Sequence, residues 1–115
     1  MKKHIPVKVI KPWGFETRWA ITEKYLGKIL HINAGHRLSL QYHEVKDESI
    51  YVLKGVLKLH LQGEVYEMKE GDSMRIQPGK IHRFEAPSEC DVELIEVSTP
   101  EIDDVIRVED DYNRD

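Results

Sequence analysis

The sequence predicts an all-β domain, an antiparallel meander or barrel of short strands, and three observations carry that prediction. Gly55, Gly63, Gly71 and Gly79 recur every eight residues. Between them lie VLKLHL (56–61), EVYEMK (64–69) and DSMRIQ (72–77), each short and mixed in polarity, with turn chemistry at Lys-Gly, Gln-Gly, Glu-Gly-Asp and Pro-Gly. Leu57, Leu59 and Leu61 form a period-2 stripe, the signature of a strand with one buried face. Turn signals at this spacing fit a meander closed into a barrel, and the region offers no glycine-free run long enough for a helix.

The remaining strand candidates are GFETRWAI (14–21), YLGKILHI (25–32), RLSLQYHE (37–44), SIYVLK (49–54), HRFEA (82–86) and VELIEV (92–97), which brings the total to about nine. Ile102, Val105 and Ile106 have helical spacing but form too short a patch to count as an element. A chain of 115 residues is sized for one domain, read here as 1–115, with N-terminal strands over 1–33, a core barrel over 34–97 and an acidic C-terminal segment over 98–115.

Composition narrows the function classes. The net charge is −4, but residues 101–115 alone carry −5, leaving +1 for the rest, so neither part is basic enough to suggest a nucleic-acid partner. No apolar run approaches the roughly 20 residues a membrane helix needs. Pro6 and Lys8 interrupt what would be the apolar stretch of a signal peptide, so the expectation is a cytoplasmic protein without a membrane partner. Cys90 is the single cysteine, which excludes an internal disulfide and a thiolate zinc site; it reads as a small half-buried residue.

The chemistry-bearing residues fall where a core should be. Alternation in RLSLQYHE puts Leu38, Leu40 and Tyr42 on one face and Ser39, Gln41 and His43 on the other. If the second face lines the barrel, an amide and an imidazole enter the interior two residues apart. Glu48 opens the next strand on the face of Ile50 and Val52, and His82 follows the Pro78-Gly79 turn on the face of Phe84. Four buried polar groups without partners would cost several kcal/mol each. A divalent cation removes that cost by accepting a carboxylate, two neutral imidazoles and a carbonyl oxygen. Such a donor set suits Zn, Mn, Fe, Co or Ni, one ion per chain, poised as a Lewis acid. His4, His31, His36 and His60 read as ordinary surface or core residues. Trp13, Trp19, Tyr42 and Tyr51 read as packing residues, with Trp13 of KPWG the best candidate for an ordered N-terminal anchor.

The spacing of these groups is specific. Gly35, five residues, Gln41, Tyr42, His43, four residues, Glu48, six residues and Gly55 resemble the first cupin motif, with Gln41 at the usual first histidine. Gly71, Gly79 and His82 resemble the second motif, with the proline displaced to Pro78 and the closing asparagine replaced by Ala86. The resemblance implies a double-stranded β-helix, or jelly-roll, barrel and a homodimer. A narrower resemblance, through KPWG (11–14), AGHRLSLQYH (34–43), VLKG (52–55), PGKIHRFEAP (78–87), VELIEV (92–97) and VIRVEDDYNR (105–114), is to the cupin domain of type II phosphomannose isomerases. In that family glutamine at the first ligand is usual, arginine is common at the position of Lys46, and histidine and tryptophan are common at those of Ser49 and Ile50.

This resemblance implies a metal-dependent sugar-phosphate isomerase converting mannose 6-phosphate to fructose 6-phosphate, with Gln41, His43, Glu48 and His82 on the metal. Moving a proton between C1 and C2 needs an electrophile, a base and a cation for the phosphate. Glu96 is a base candidate if Val92, Leu94 and Glu96 face inward; a metal-bound water and Lys46 compete for that role. Arg37, Lys46, Arg83 and Arg107 are the candidates for the phosphate, since guanidinium groups bind it bidentately. Arg107 could fold back over the barrel mouth, while the acids of the C-terminal segment read as solvated charge. Two other functions fit a cupin barrel: a non-catalytic metal-dependent module binding a small sugar or acid, and an iron-dependent dioxygenase.

Overall fold

In the computed structural model, which describes residues 2–113, the strands run in chain order as β1 (Val7–Lys11), β2 (Gly14–Ile21), β3 (Leu26–Ile32), β4 (Leu40–Tyr42), β5 (Glu48–Lys54), β6 (Leu57–Leu61), β7 (Glu64–Met68), β8 (Ser73–Ile76), β9 (His82–Glu85), β10 (Val92–Ser98) and β11 (Ile106–Glu109). They build a six-stranded sheet in the order β1-β2-β3-β10-β5-β8 and a five-stranded sheet in the order β11-β4-β9-β6-β7. Every pairing is antiparallel. The described residues contain no helix, hence none long and apolar enough to cross a membrane.

Period-2 alternation decides what each strand buries. Glu48, Ile50 and Val52 of β5, Val92, Leu94 and Glu96 of β10, and Lys28, Leu30 and Ile32 of β3 all point inward and are almost fully buried. The five-stranded sheet answers with Leu57, Leu59, His82 and Phe84. Register then sorts these residues along the barrel. Leu94 lies opposite Leu30 and Val52, and Val92 opposite Ile32, so one end is a packed apolar core. Two residues further on, Glu96 lies opposite Lys28, and Lys28 opposite Arg18, so the inner face turns from apolar to charged toward the other end. The apolar end holds the sheets together, since each buried Leu, Ile, Val or Phe contributes roughly 1.5–3 kcal/mol. The charged end is left for chemistry.

Several expectations change on folding. VKVIK and IRVE also form strands, β1 and β11, both at sheet edges where one neighbour suffices to complete a ladder. Only Leu40–Tyr42 of RLSLQYHE forms a continuous ladder, preceded by an isolated bridge from Arg37 to Glu85. The irregular backbone between them turns Leu38 into the core, its N–H donating to the Phe84 carbonyl, rather than onto the outer face. Tyr51 and Trp19 are exposed on the outside of the six-stranded sheet, and Trp19 lies across Gly27. Ile102, Val105 and Ile106 form no helical turn, and Ile106 begins β11. Nor is the acidic C-terminal segment merely solvated. Asp104 and Asp111 both make defined hydrogen bonds, because β11 pairs with β4 and carries the flanking acids against the barrel.

Gly55 shows why the turns need glycine. Its φ is +83°, and a Cβ there would stand 2.5 Å from the Asp91 carbonyl oxygen. Gly63 has the same φ with no atom within 4 Å of such a Cβ. Gly63→Ala should therefore lose about 1–2 kcal/mol, the left-handed backbone term. Gly55→Ala should lose about 1–3 kcal/mol more, because the backbone of residues 91–92 must also move. Equal denaturation midpoints for the two variants would refute this account of Gly55.

Candidate metal centre

Three side chains from separate elements meet inside the barrel. His43 follows β4, Glu48 opens β5 and His82 opens β9, and they are 3%, 2% and 0% exposed. His43 Nε2 lies 2.9 Å and His82 Nε2 3.1 Å from the same oxygen, Glu48 Oε1. All three ligand atoms lie within 4.8 Å of one another. Glu48 Oε2 and His82 Nε2 are buried without any hydrogen-bond partner.

The far sides of the imidazoles show what these atoms can do. His43 Nδ1 meets the main-chain carbonyl of Asp104, and His82 Nδ1 meets that of Lys80 at 2.8 Å. A carbonyl only accepts, so each Nδ1 carries a hydrogen and each neutral ring turns the lone pair of Nε2 toward Glu48. Two lone pairs and a carboxylate thus face one another in a buried space. Either an imidazole takes a second proton or a cation sits among them, and metal and proton compete for the same atoms. The residues fit a divalent ion: borderline nitrogen and oxygen donors, neutral imidazoles with their second nitrogens fixed, and orphaned acceptors aimed at one point. Burial pushes the Glu48 carboxyl up, but the two imidazoles, with Lys46 further off, outweigh it and hold it well below the usual carboxylate range.

Gln41 stands beside this group, opposite His82 in the β4–β9 ladder and opposite Arg107 in the β4–β11 ladder. Its Oε1 accepts a hydrogen bond from Ser39 Oγ at 2.8 Å. Gln41 and His43 line a cavity of about 300 Å³, at the lower bound of the roughly 300–1,000 Å³ typical of small-molecule sites. Glu96 and Lys46 form one wall, 3.7 Å apart and both buried, and Arg107 of β11 lines the cavity as well. Burial and the Glu48 carboxylate push the Glu96 carboxyl up to about 8. Burial works against the Lys46 charge, but Glu96 and Glu48 more than compensate and raise its pKa. On the β2–β3 side lie Lys11, Glu16, Arg18 and Lys28, and Trp13, Leu30 and Leu38 supply apolar wall.

Of the residues singled out from the sequence, Gln41, His43, Lys46, Glu96 and Arg107 come together around the cavity, with Glu48 and His82 buried behind it. Glu96 faces inward with Val92 and Leu94, the condition set for it as a base. Arg37 and Arg83 do not join them. Since His82 points inward, Arg83 points to the opposite face, where its Nε donates to the Leu38 carbonyl at 2.9 Å. Arg37 donates to both oxygens of Asp111, and Arg83 lies 3.8 Å from the same carboxylate. Ser49 faces outward and Ile50 packs in the core, and neither lines the cavity. His31 pairs with Asp91 and Glu93, and His60 with Glu85, away from the cavity.

Sequence reasoning missed Asp104, Glu16, Arg18 and Lys28. Lys28 had a signal, since it interrupts the apolar stripe Leu26, Leu30, Ile32 on one face of a strand. Asp104 had none, because its role depends on where the C-terminal segment folds back. Its carboxylate accepts from the backbone N–H groups of Glu44, Val45 and Lys46 at 2.8–3.0 Å, while its carbonyl orients His43. It thereby sets both the 44–47 connection and one ligand.

Two facing antiparallel sheets around a buried His, Glu, His trio define the chain as a cupin barrel. Solved structures agree. KdgF from Halomonas sp. superposes with a TM-score of 0.76 over 87% of this chain and 89% of that one, at 23% identity. An RmlC-like cupin from Shewanella frigidimarina superposes with a TM-score of 0.71 over 77% and 78%, at 17% identity. The chain belongs to the family described as Mannose-6-phosphate isomerase C-terminal, whose pattern matches residues 1–110. It is 35% identical over 114 residues to the mannose-1-phosphate guanylyltransferase ManC of Salmonella typhimurium, covering 96% of this chain and 24% of that protein. The chain spans about a quarter of the length of the curated relatives it matches.

The Asp104 carboxyl gives a pH signature. Burial pushes it up, but the three N–H groups outweigh this and hold it below its ordinary 3.8. Its contribution to stability is therefore complete above that value and is lost as pH falls through the lower folded one. Asp104→Ala should cost about 1–2 kcal/mol at neutral pH. That gap should stay constant down to about pH 5 and shrink below about pH 4. A gap unchanged at pH 3, measured by denaturant titration, would refute the assignment.

Proposed function

We propose that this chain is a metal-dependent isomerase module that interconverts mannose 6-phosphate and fructose 6-phosphate, with one divalent ion held by His43, Glu48, His82 and Gln41. The observation that carries the reading is the trio of acceptor atoms, His43 Nε2, Glu48 Oε1 and His82 Nε2, converging beside a charged cavity. The family match and the mannose-phosphate enzyme among its relatives support the substrate class. An ion bound there supplies Lewis acidity toward the substrate's carbonyl and hydroxyl oxygens.

The chain's own residues divide the remaining work. Glu96, buried on the cavity wall and not needed as a ligand, in its ionised form takes the proton from C2 of the open-chain aldose and returns it to C1, while the hydroxyl proton passes from O2 to O1, so that the C1 aldehyde becomes the C1 alcohol and C2 the ketone. Lys46, charged beside Glu96, stabilises the enediolate that develops between these transfers. A lysine does this as a point charge, so the family's arginine fork is not required at this position. Arg107, fixed in the β11–β4 ladder opposite Gln41, presents a guanidinium to sugar oxygens. Trp13, Leu30 and Leu38 keep part of the wall dry, which strengthens the charge interactions inside.

His43→Ala and His82→Ala should each abolish stoichiometric metal binding, measured by elemental analysis, while the barrel stays folded by circular dichroism. Full metal content in both variants would show that the ligands are wrongly assigned. Protein loaded in turn with Mn, Co, Zn or Ni should convert mannose 6-phosphate to fructose 6-phosphate. Absence of product with every metal would point to a binding module instead. Glu96→Gln should lower kcat by about 10²–10⁴-fold with metal content unchanged; near-normal turnover would remove Glu96 as the base.

A further inference from the structure

Beyond the metal centre, the inner face of the six-stranded sheet holds a second built cluster. Arg18 of β2 and Lys28 of β3 face each other in register, and Lys28 faces Glu96 of β10. Lys28 is 7% exposed and Glu16 5%. Glu16 Oε2 accepts from Arg18 Nε at 2.8 Å and lies 3.3 Å from Lys28 Nζ, while Lys11 Nζ lies 4.0 Å from Glu16 Oε1. Three cations thus share one carboxylate, and all four side chains line the cavity that Gln41 and His43 also line.

The donors are not used up by these contacts. Arg18 meets Glu16 through Nε, and a guanidinium has four further N–H donors. An ammonium has three donors, and Lys28 lies 3.3 Å from Glu16 and 4.0 Å from Glu96. Around the whole cavity, five cationic side chains (Lys11, Arg18, Lys28, Lys46, Arg107) and three acidic ones (Glu16, Glu96, Asp103) form the lining, so basic groups outnumber acidic ones. Buried like charges are costly unless an anion arrives to share them. The sheet also acts as a ruler. Lys28 on β3 is two strands from β5, which carries Glu48, and two strand spacings are roughly 10 Å. That separation suits a ligand with oxygens to place at one end and an anion at the other.

We propose that Arg18 and Lys28, with Lys11 beside them, form the phosphate subsite of the cavity, binding the phosphate monoester of a sugar phosphate whose opposite end lies toward His43 and Gln41. Glu16 is the positioning residue that holds the cations in place. Arg37, bound to Asp111, and Arg83, bound through Nε to the Leu38 carbonyl, lie on the opposite face and take no part. The subsite rests on the sugar-phosphate reading above, so its test reads binding and not turnover.

The probe is inorganic phosphate, titrated calorimetrically into zinc-loaded protein. Saturable binding is expected. Lys28→Gln and Arg18→Gln should each weaken it about tenfold or more, the loss of one charge-assisted bond. Arg37→Gln should leave it unchanged, and His43→Ala, without the metal, should still bind. Arg18 is partly exposed, so its variant serves if Lys28→Gln fails to fold. Binding lost in His43→Ala but kept in Lys28→Gln and Arg18→Gln would place the anion on the metal and overturn the subsite. Absence of binding, or equal binding in all variants, would overturn it too. Phosphate binding that depends on Lys28 in a protein that never isomerises mannose 6-phosphate would retain the subsite and refute the isomerase reading alone.

Discussion

The architecture depends on an electrostatic constraint: two imidazole lone pairs and a carboxylate are forced together in a buried space. Glu48, at 2% exposure, cannot be left as a lone buried charge. The chain answers by fixing everything around it. The Asp104 and Lys80 carbonyls lock the tautomers of His43 and His82, and the β4–β9 ladder sets Gln41 beside His82. None of the three residues His43, Glu48 and His82 sits on a loop tip, since each follows or opens a strand held by a neighbour. A site so prepared loses little entropy when an ion enters, which is the advantage of building it on a rigid barrel.

The constraint also explains how the barrel is divided along its length. The inward-facing rows run from apolar to charged, through Ile32, Leu30, Lys28 on β3, Val92, Leu94, Glu96 on β10 and Val52, Ile50, Glu48 on β5, with the facing pair Leu26 and Ser98 beyond the charged level. Because the strands are antiparallel and in register, these rows align into one apolar end and one polar end. The apolar end stabilises the fold and permits the polar end to be destabilising. Buried Glu16, Lys28, Glu96 and Lys46 alternate basic with acidic, each within 4.0 Å of a partner of the other type, while Glu48 meets the imidazoles of His43 and His82, and the set retains donors and acceptors for a ligand.

The C-terminal segment is a structural wall rather than a tail. Asp104 binds three backbone N–H groups of the 44–46 stretch, Arg107 enters the cavity from β11, and Asp111 binds Arg37 with Arg83 close by. Three anchors spread over eight residues make the segment part of the barrel, and through the Asp104 carbonyl it reaches His43. Its acids serve as hydrogen-bond acceptors at points where the rest of the chain presents unpaired N–H groups or guanidinium ions.

What the sequence by itself determined was whatever short-range pattern encodes. The eight-residue glycine spacing and the period-2 stripes located the strands between residues 14 and 97, and the motif spacing located His43, Glu48 and His82 as one cluster. Alternation also placed Glu96 conditionally, since facing inward with Leu94 follows from β-strand geometry alone. The tertiary structure decided everything that depends on which strands become neighbours. Arg83 is adjacent to His82 in sequence yet faces away from it, so Arg37 and Arg83 left the candidate phosphate site. Lys28, Arg18 and Glu16 entered the cavity because β2 and β3 lie beside β10, a long-range pairing no local pattern reports. Leu38 turned inward because the ladder is interrupted before Leu40, and Asp104 became an organising residue because the chain returned to pair with β4. Local periodicity fixes which way a side chain points within its strand; only closure of the barrel fixes what it meets there.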